Sequence, residues 1–217
     1  YEFLDHYHRA NGLPLRNRIF GAIARLNRIG SALAPVSNWL ANSTPNRRLM
    51  DIFGGIDRRR PLPQFASESF EDWFRVHKPE GDGSQGEVIL FHDTFNNYNT
   101  PNVAIAATRF LEKSSYRVLL VDKKCCGRPM ISKGMLGQAK EHAAWNVATL
   151  APYAEKGTPI VGLEPSCLLT LRDEYPEFVR TEAAKKVAQQ SFLLEEFVMP
   201  MAKEKKFCCT ATAIKKP

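Results

Sequence analysis

The sequence predicts an α/β protein: a parallel sheet of three or more strands covered by helices and preceded by a mainly helical segment. Three observations support this class. Beyond residue 86, short apolar runs alternate with longer segments of helical periodicity, an order typical of parallel sheets. Before residue 79, apolar residues recur at helical spacing. Between the two regions, residues 79–86 are rich in Gly and polar residues, which predicts a flexible linker.

The first region, residues 1–78, is predicted to be a helical linker or docking segment. Residues 17–40 are predicted to form one amphipathic helix, which Pro35 breaks or kinks. Its apolar stripe comprises Ile19, Phe20, Ile23, Leu26, Ile29, Leu33 and Val36. The region carries 12 Lys and Arg against 7 Asp and Glu, with three consecutive arginines at 58–60. We interpret this charge as a docking surface and expect no nucleic-acid partner, because no nucleic-acid-binding motif accompanies it.

The second region, residues 87–206, is predicted to alternate strands and helices. The apolar runs predict three strands, at 87–91, 117–122 and 159–163. Helical spacing predicts helices at 102–113, 133–153, 167–172 and 181–201. Loops that follow parallel strands meet at one edge of the sheet, where ligand sites form. We therefore expect a site at that edge.

The composition restricts the class of protein further. The chain has 44% hydrophobic residues, which is enough for a core, and five cysteines, an odd number that disfavours a disulfide scaffold. A reducing, cytoplasmic location is expected, because we find no signal-peptide pattern and no apolar run long enough to span a bilayer. The chain begins at Tyr1 within a helical pattern, which indicates a fragment of a longer protein.

Three thiols follow two of the predicted strands. Cys125 and Cys126 precede Gly127, which permits the sharp turn that two adjacent thiols need to enter one site, and Cys167 follows the third strand. Soft thiolates at converging loops predict a metal or iron–sulfur site. Two alternatives remain open at this point: the cysteines are small buried hydrophobic residues, or Cys125 and Cys126 form a thiol redox pair, although vicinal disulfides are strained.

Several stretches resemble the cysteine-rich CCG domain of iron–sulfur oxidoreductases. This domain occurs in a subunit of heterodisulfide reductase, in the iron–sulfur subunit of glycolate oxidase, and in related lactate-utilisation and glycerol-3-phosphate dehydrogenase proteins. The resemblance is greatest to fused proteins that join an FAD-binding 2-hydroxyacid dehydrogenase to a C-terminal iron–sulfur region. The matching stretches are Phe91-His-Asp-Thr-Phe-Asn-Asn-Tyr98, Cys125-Cys-Gly-Arg-Pro129, Ser132-Lys-Gly134, Leu150-Ala-Pro152 and Val161-Gly-Leu-Glu-Pro-Ser-Cys167.

The resemblance implies a set of site residues. Cys125, Cys126 and Cys167 match cluster-ligand positions, whereas Thr94 and Glu164 stand where the family has further cysteines. Three thiolates are too few for an ordinary four-cysteine cluster. The family pattern occurs twice, so we expect the second repeat to complete or dominate the site. Three cations, Lys123, Lys124 and Arg128, would offset cluster charge or be ordinary solvent-exposed residues. His92 would be a neighbouring donor or a histidine whose hydrogen bonds are satisfied within its own loop.

The resemblance also implies a function. The chain would be the electron-transfer portion of an oxidoreductase that acts on D-lactate or glycolate, with a 4Fe–4S-type cluster here and FAD in the N-terminal part of the parent. Its partners would be the FAD-binding and ferredoxin-type domains of that parent and an acceptor such as quinone or a cytochrome. Peripheral contact of the parent with the inner face of the membrane is compatible with this function. The fragment alone would not be catalytic.

The last residues, 207–217, depart from the family pattern. The family continues there with Leu-Leu-His-Gly-His-Cys-His-Gln-Lys-Ala. One permitted coding of Phe207–Pro217, read from its third base, gives these same ten residues. We therefore interpret the tail as a frameshift product, in which Cys208 and Cys209 are accidental; the alternative is a genuine second thiol pair.

A rival interpretation assigns no metal at all. In it, the chain is an α/β interaction module that docks a partner through its basic helical arm, residues 1–78.

Overall fold

The computed structural model describes residues 1–203, so the proposed frameshift tail lies outside the described residues. Six helices precede the first strand: α1 Glu2–Asn11, α2 Leu15–Gly21, α3 Ile23–Ala32, α4 Val36–Asn42, α5 Thr44–Gly54 and α6 Phe70–Val76. The α/β part follows, with β1 Gly86–Phe91, α7 Thr94–Tyr98, α8 Pro101–Lys113, β2 Tyr116–Leu119, α9 Arg128–Ser132, α10 Leu136–Ala154, β3 Ile160–Gly162, α11 Pro165–Leu169, a π-helix Thr170–Glu174, α12 Tyr175–Val179, α13 Glu182–Gln189, β4 Ser191–Leu193 and α14 Leu194–Lys203.

The predicted α/β class is confirmed by a four-stranded parallel sheet. Its strand order is β2-β1-β3-β4, and every pairing is parallel. The central strand β1 is buried on both faces from Val88 to Phe91, as its continuous apolar run predicts. One face packs against α10, α12 and α13, and the other against α6 and α8. The carboxyl ends of β1, β2 and β3 therefore lie side by side.

The prediction of one helix at 181–201 is wrong, because a strand interrupts it. After α13, Ser191–Leu193 pair in parallel with β3, and α14 begins at the next residue. The Ser191 hydroxyl donates to the Val187 carbonyl over 2.7 Å and satisfies a group at the end of α13. A stretch of three residues is too short to show the alternation of apolar and polar residues from which a strand is predicted.

The predicted break at Pro35 is confirmed, since α3 ends at Ala32 and α4 begins at Val36, but the stretch before it forms two helices and not one. The apolar stripe of residues 17–40 is largely exposed: Ile19, Leu26, Ile29, Leu33 and Val36 are 40–65% accessible. The buried face of α3 consists instead of Asn27, Gly30 and Ser31.

The close approach of α3 to the Phe65 ring explains why small and polar residues form its buried face. A Cβ added at Gly30 would lie 2.5 Å from the Phe65 ring, so only glycine fits. Asn27 donates to the Asn99 side chain over 2.8 Å, and the Ser31 hydroxyl donates to a backbone carbonyl over 2.6 Å. These hydrogen bonds offset the cost of burying polar groups and turn the apolar stripe outward.

The joint between the two regions is packed. Phe70 of α6 is fully buried in the cluster formed around Val88, Leu90 and Leu111. Within the segment predicted as a linker, the Glu80 N–H donates to the Glu112 carboxylate and the Gln85 N–H donates to the Ser115 carbonyl. The domain bounds drawn at 78 and 87 stay a prediction.

Candidate functional site

The structure brings the three predicted thiols together at the carboxyl edge of the sheet. Cys125 and Cys126 lie in the loop after β2, and Cys167 lies in the first turn of α11, just after β3. All three cysteines are free thiols; the Cys126 and Cys167 sulfurs are 3.1 Å apart, and the Cys125 thiol is hydrogen-bonded to the Cys126 thiol. Cys126 is 3% exposed, whereas the other two are half-buried. The three thiols are therefore buried on the side that faces the core and accessible to solvent on the other side.

Gly127 adopts the conformation that lets two adjacent thiols share one site. Its φ is +92°, in the left-handed region that favours glycine, and it precedes the first residue of α9. The sharp turn reverses the chain directly after Cys126. Both adjacent thiols consequently face the same edge of the sheet.

Thr94 and Glu164 stand at the two positions where the resemblance implies further cysteines, and both side chains form hydrogen bonds. The Glu164 carboxylate caps α11, accepting the Cys167 N–H over 2.7 Å and the Ser166 hydroxyl over 2.6 Å. The Thr94 hydroxyl bonds to the Cys125 thiol at the start of α7. Glu164 and Thr94 therefore orient two of the thiols.

The pKa of each thiol is raised above that of a free cysteine. For Cys125 the hydrogen bond with Cys126 is the largest cause, followed by burial. For Cys126 the bond with Cys125 lowers the pKa, but contact with Cys167 and burial outweigh it. For Cys167 the bond with Cys126 lowers the pKa, whereas burial and nearby carboxylates raise it. In the metal-free protein the thiols are protonated near neutral pH, so metal binding must release protons.

The three cations of this loop have different surroundings. Burial lowers the pKa of the Lys123 ammonium, and the three thiols act in the opposite direction. Lys124 lies over the Trp145 ring, 4.7 Å from its centre, and Arg128 pairs with Glu174. Lys123 thus lies close enough to Glu71 and to the thiols for its charge to stabilise their ionised forms.

His92 lies at the end of β1 and is almost fully buried. Its Nε2 is 2.7 Å from the Glu71 carboxylate, and its buried Nδ1 has no partner among the described residues. Burial is the main cause that lowers the pKa of His92, while the bond to His92 lowers the pKa of Glu71 to about 2. The structure thus holds a neutral imidazole that donates to an ionised carboxylate of α6.

The stabilisation from this pair is expected to disappear in acid. The folded-state pKa of Glu71 is depressed, so its contribution is complete above the unfolded value of 4.5 and is lost as pH falls toward about 2. The difference in unfolding free energy between the wild type and Glu71→Gln should therefore be largest at pH 7 and shrink below about pH 4.5. Urea unfolding between pH 7 and pH 3 measures it. A difference independent of pH would show that Glu71 is not the titrating group.

Three polar side chains that sequence reasoning missed hold the backbone of the thiol loop. Asn146 of α10 accepts the Lys124 N–H over 2.7 Å, and the Tyr175 hydroxyl donates to the Cys126 carbonyl over 3.0 Å. His142 Nδ1 is 3.0 Å from the Cys125 carbonyl. For Asn146 the sequence did contain a signal, because it falls within the buried stripe of Ala139, Ala143 and Leu150 at helical spacing.

The three thiols are the type of ligand that a soft metal prefers, but they are fewer than an ordinary cluster needs. Three thiols converge, whereas an ordinary iron–sulfur cluster takes four cysteine ligands. Within residues 1–203, no group of three or more His, Cys, Asp and Glu side chains is arranged to hold a metal ion by itself. A four-cysteine cluster at this edge would need one further ligand besides these three thiols.

The fold and the thiol edge define a cysteine-rich α/β domain. The family model described as CCG, cysteine-rich domain, matches residues 89–172, which include all three thiols. Over residues 89–172, the chain thus matches the CCG cysteine-rich family. The match begins within β1 and ends in the π-helix, so it covers the three loops that build the site.

The curated relatives are dehydrogenases or subunits of them. The chain is 31% identical over 170 residues to one subunit of the anaerobic glycerol-3-phosphate dehydrogenase of Escherichia coli; the match covers 77% of this chain and 43% of that protein. It is 29% identical over 117 residues to D-2-hydroxyglutarate dehydrogenase of Pseudomonas putida, covering 54% and 11%. The corresponding Escherichia coli enzyme is 23% identical over 185 residues, covering 80% and 18%.

The chain thus spans less than half the length of each of these relatives. No solved structure matches it significantly. Among residues 1–203, no helix combines the length and the apolar character needed to cross a membrane.

Proposed function

We propose that the chain is the iron–sulfur electron-transfer portion of a larger FAD-dependent dehydrogenase that oxidises a 2-hydroxy acid. The observation that carries the proposal is the convergence of Cys125, Cys126 and Cys167 at one edge of the sheet, with two sulfurs 3.1 Å apart. The names of the relatives support the dehydrogenase context, and one of them acts by name on a 2-hydroxy acid. D-lactate and glycolate are the substrates we favour.

The residues of this chain would bind the cluster and adjust its environment. The three thiolates would ligate iron, and a bound cluster would supply one-electron transfer. Lys123 would offset the negative charge of the thiolates and so favour the reduced state. The buried side of the site, formed around Cys126, would exclude water from the sulfur ligands.

The exposed helical arm offers a surface for the other parts of such an enzyme. Large apolar side chains are exposed on each of its first five helices, including Phe3, Leu15, Leu26, Trp39 and Phe53. Isolated exposed apolar residues are ordinary, but a series of them along one segment is typical of a docking surface. FAD-binding and ferredoxin-type domains of the parent would dock there, and a quinone or cytochrome would accept the electrons.

Anaerobic purification tests the proposal directly. We expect iron and acid-labile sulfide in the full chain, visible absorbance from sulfur-to-iron charge transfer, and an electron paramagnetic resonance signal after reduction. If the second repeat is needed, the signal should appear only when the chain is expressed with the alternative frame of the tail. An iron-free protein in both forms, with every thiol titratable, would overturn the proposal.

The same exposed arm supports a second candidate, a metal-free interaction module. Arginines 58–60 and the apolar side chains of α1 to α5 would then bind a partner without any electron transfer. Absence of iron in both frames, together with stable folding, would favour this candidate.

A further inference from the structure

A buried pair of side chains fixes the shape of the thiol loop. Asn146 and Tyr175 are both fully buried, in α10 and α12. The Asn146 amide donates to the Tyr175 hydroxyl over 2.8 Å, and that hydroxyl donates onward to the Cys126 carbonyl over 3.0 Å. Fully satisfied chains of buried hydrogen bonds are rigid and specify one arrangement.

The same amide also holds the residue before the thiols. The side-chain Oδ1 of Asn146 accepts the Lys124 N–H over 2.7 Å, and its side-chain Nδ2 donates to the Lys124 carbonyl over 3.2 Å. Together, the pair bonds to backbone groups on either side of Cys125. A loop fastened at both ends presents its thiols in a fixed geometry.

The π-helix explains how Tyr175 reaches this loop from the helix that carries Cys167. Eight residues separate the two, and a regular α-helix at roughly 100° per residue would leave them roughly 80° apart around the axis. The π-helix at Thr170–Glu174 has wider turns, so each residue advances less. Both Cys167 and Tyr175 consequently contact Cys126, one through sulfur and one through the backbone.

We propose that Asn146 and Tyr175 are positioning residues, which hold the Cys125–Cys126 loop so that its thiols face Cys167. The proposal rests on the proposed function only in treating these thiols as ligands. The thiol geometry itself is measurable in the metal-free protein. The two ideas can therefore fail separately.

Alkylation of the metal-free chain by N-ethylmaleimide tests the positioning role. Tyr175→Phe keeps the ring in the core and removes the hydroxyl, and Asn146→Ala removes the amide. We expect the alkylation rate of Cys126, followed by peptide mass spectrometry, to rise about tenfold in each variant, because losing a buried hydrogen bond frees the loop by about that factor.

The matched control is Asn27→Ala, which removes another buried, hydrogen-bonded asparagine far from the thiols in the sequence. It should lower the free energy of unfolding about as much as Tyr175→Phe does. It should leave the alkylation rate of Cys126 within about twofold of wild type, since local opening around Asn27 does not expose the thiol loop. Equal acceleration in the control and in Tyr175→Phe would overturn the positioning role. So would an unchanged rate in both Tyr175→Phe and Asn146→Ala.

Iron content separates the two proposals. If the wild type binds iron, Tyr175→Phe should weaken iron binding about 10-fold to 100-fold, the usual effect of losing a group that supports a metal ligand. If the wild type binds no iron but Cys126 responds as described, the electron-transfer proposal fails and the positioning role stands. Iron binding at wild-type strength in both variants would count against the positioning role.

Discussion

Replacing Cys126 with serine is expected to abolish iron binding by this chain. Cys126 is the most buried of the three thiols and the one that contacts both of the others. Its loss removes a ligand and the thiol that contacts both Cys125 and Cys167. We expect apparent iron affinity to fall by more than about 100-fold, beyond the loss caused by removing a supporting group. Iron analysis and the charge-transfer absorbance of anaerobically purified protein measure it.

The tail cysteines provide the control for this experiment. A Cys208→Ser and Cys209→Ser double variant removes the two thiols that we interpret as products of a frameshift. It should retain the iron of the wild-type chain. Loss of iron in the double variant and retention in Cys126→Ser would show that the tail pair, and not the sheet edge, binds the metal.

The sheet could be predicted from sequence because its strands are short, continuous apolar runs. The run that forms β1, from Val88 to Phe91, is typical of a strand that is covered on both faces. The fourth strand could not be predicted, since Ser191–Leu193 is too short to show a period and leads directly into α14. Parallel pairing with β3, a tertiary contact, decides its structure.

The helical arm shows the opposite problem. Its apolar stripe is clear in the sequence, and the usual rule places such a stripe inward. In the structure Gly30 lets α3 approach the Phe65 ring, and the buried Asn27 side chain bonds to the side chain of Asn99. Neither contact can be predicted from periodicity, because both depend on residues distant in sequence.

The thiols of the site could be predicted, but the groups that hold them could not. Cysteines at strand ends are visible as residue types, and parallel topology brings their loops together. The role of Tyr175 depends on the π-helix before it, and a local widening of a helix leaves no periodic signal. Asn146 was visible only as one polar residue within an apolar stripe.

Replacing Glu112 with alanine is expected to lower the free energy of unfolding more than the other carboxylate substitutions considered, Glu71→Gln, Glu112→Gln and Glu182→Ala. Glu112 is 1% exposed, and its carboxylate accepts from His77 Nε2 over 2.7 Å and from the Glu80 N–H over 3.1 Å. It thereby fastens the segment after α6 to α8. Removing the carboxylate leaves the His77 ring nitrogen and the Glu80 N–H without their acceptor, which costs about 1–3 kcal/mol for each buried group left unsatisfied. Urea unfolding measures the change.

Two comparisons make the result specific to the buried network. Glu112→Gln keeps an acceptor for His77 and should cost only about 1–2 kcal/mol. Glu182→Ala removes a carboxylate that is 83% exposed and paired with Lys185, so it should leave stability close to that of the wild type. Similar losses in Glu112→Ala and Glu182→Ala would mean that the arm is held to the sheet by Phe70 and its apolar neighbours alone, since the buried hydrogen bonds would then contribute no more than a surface pair.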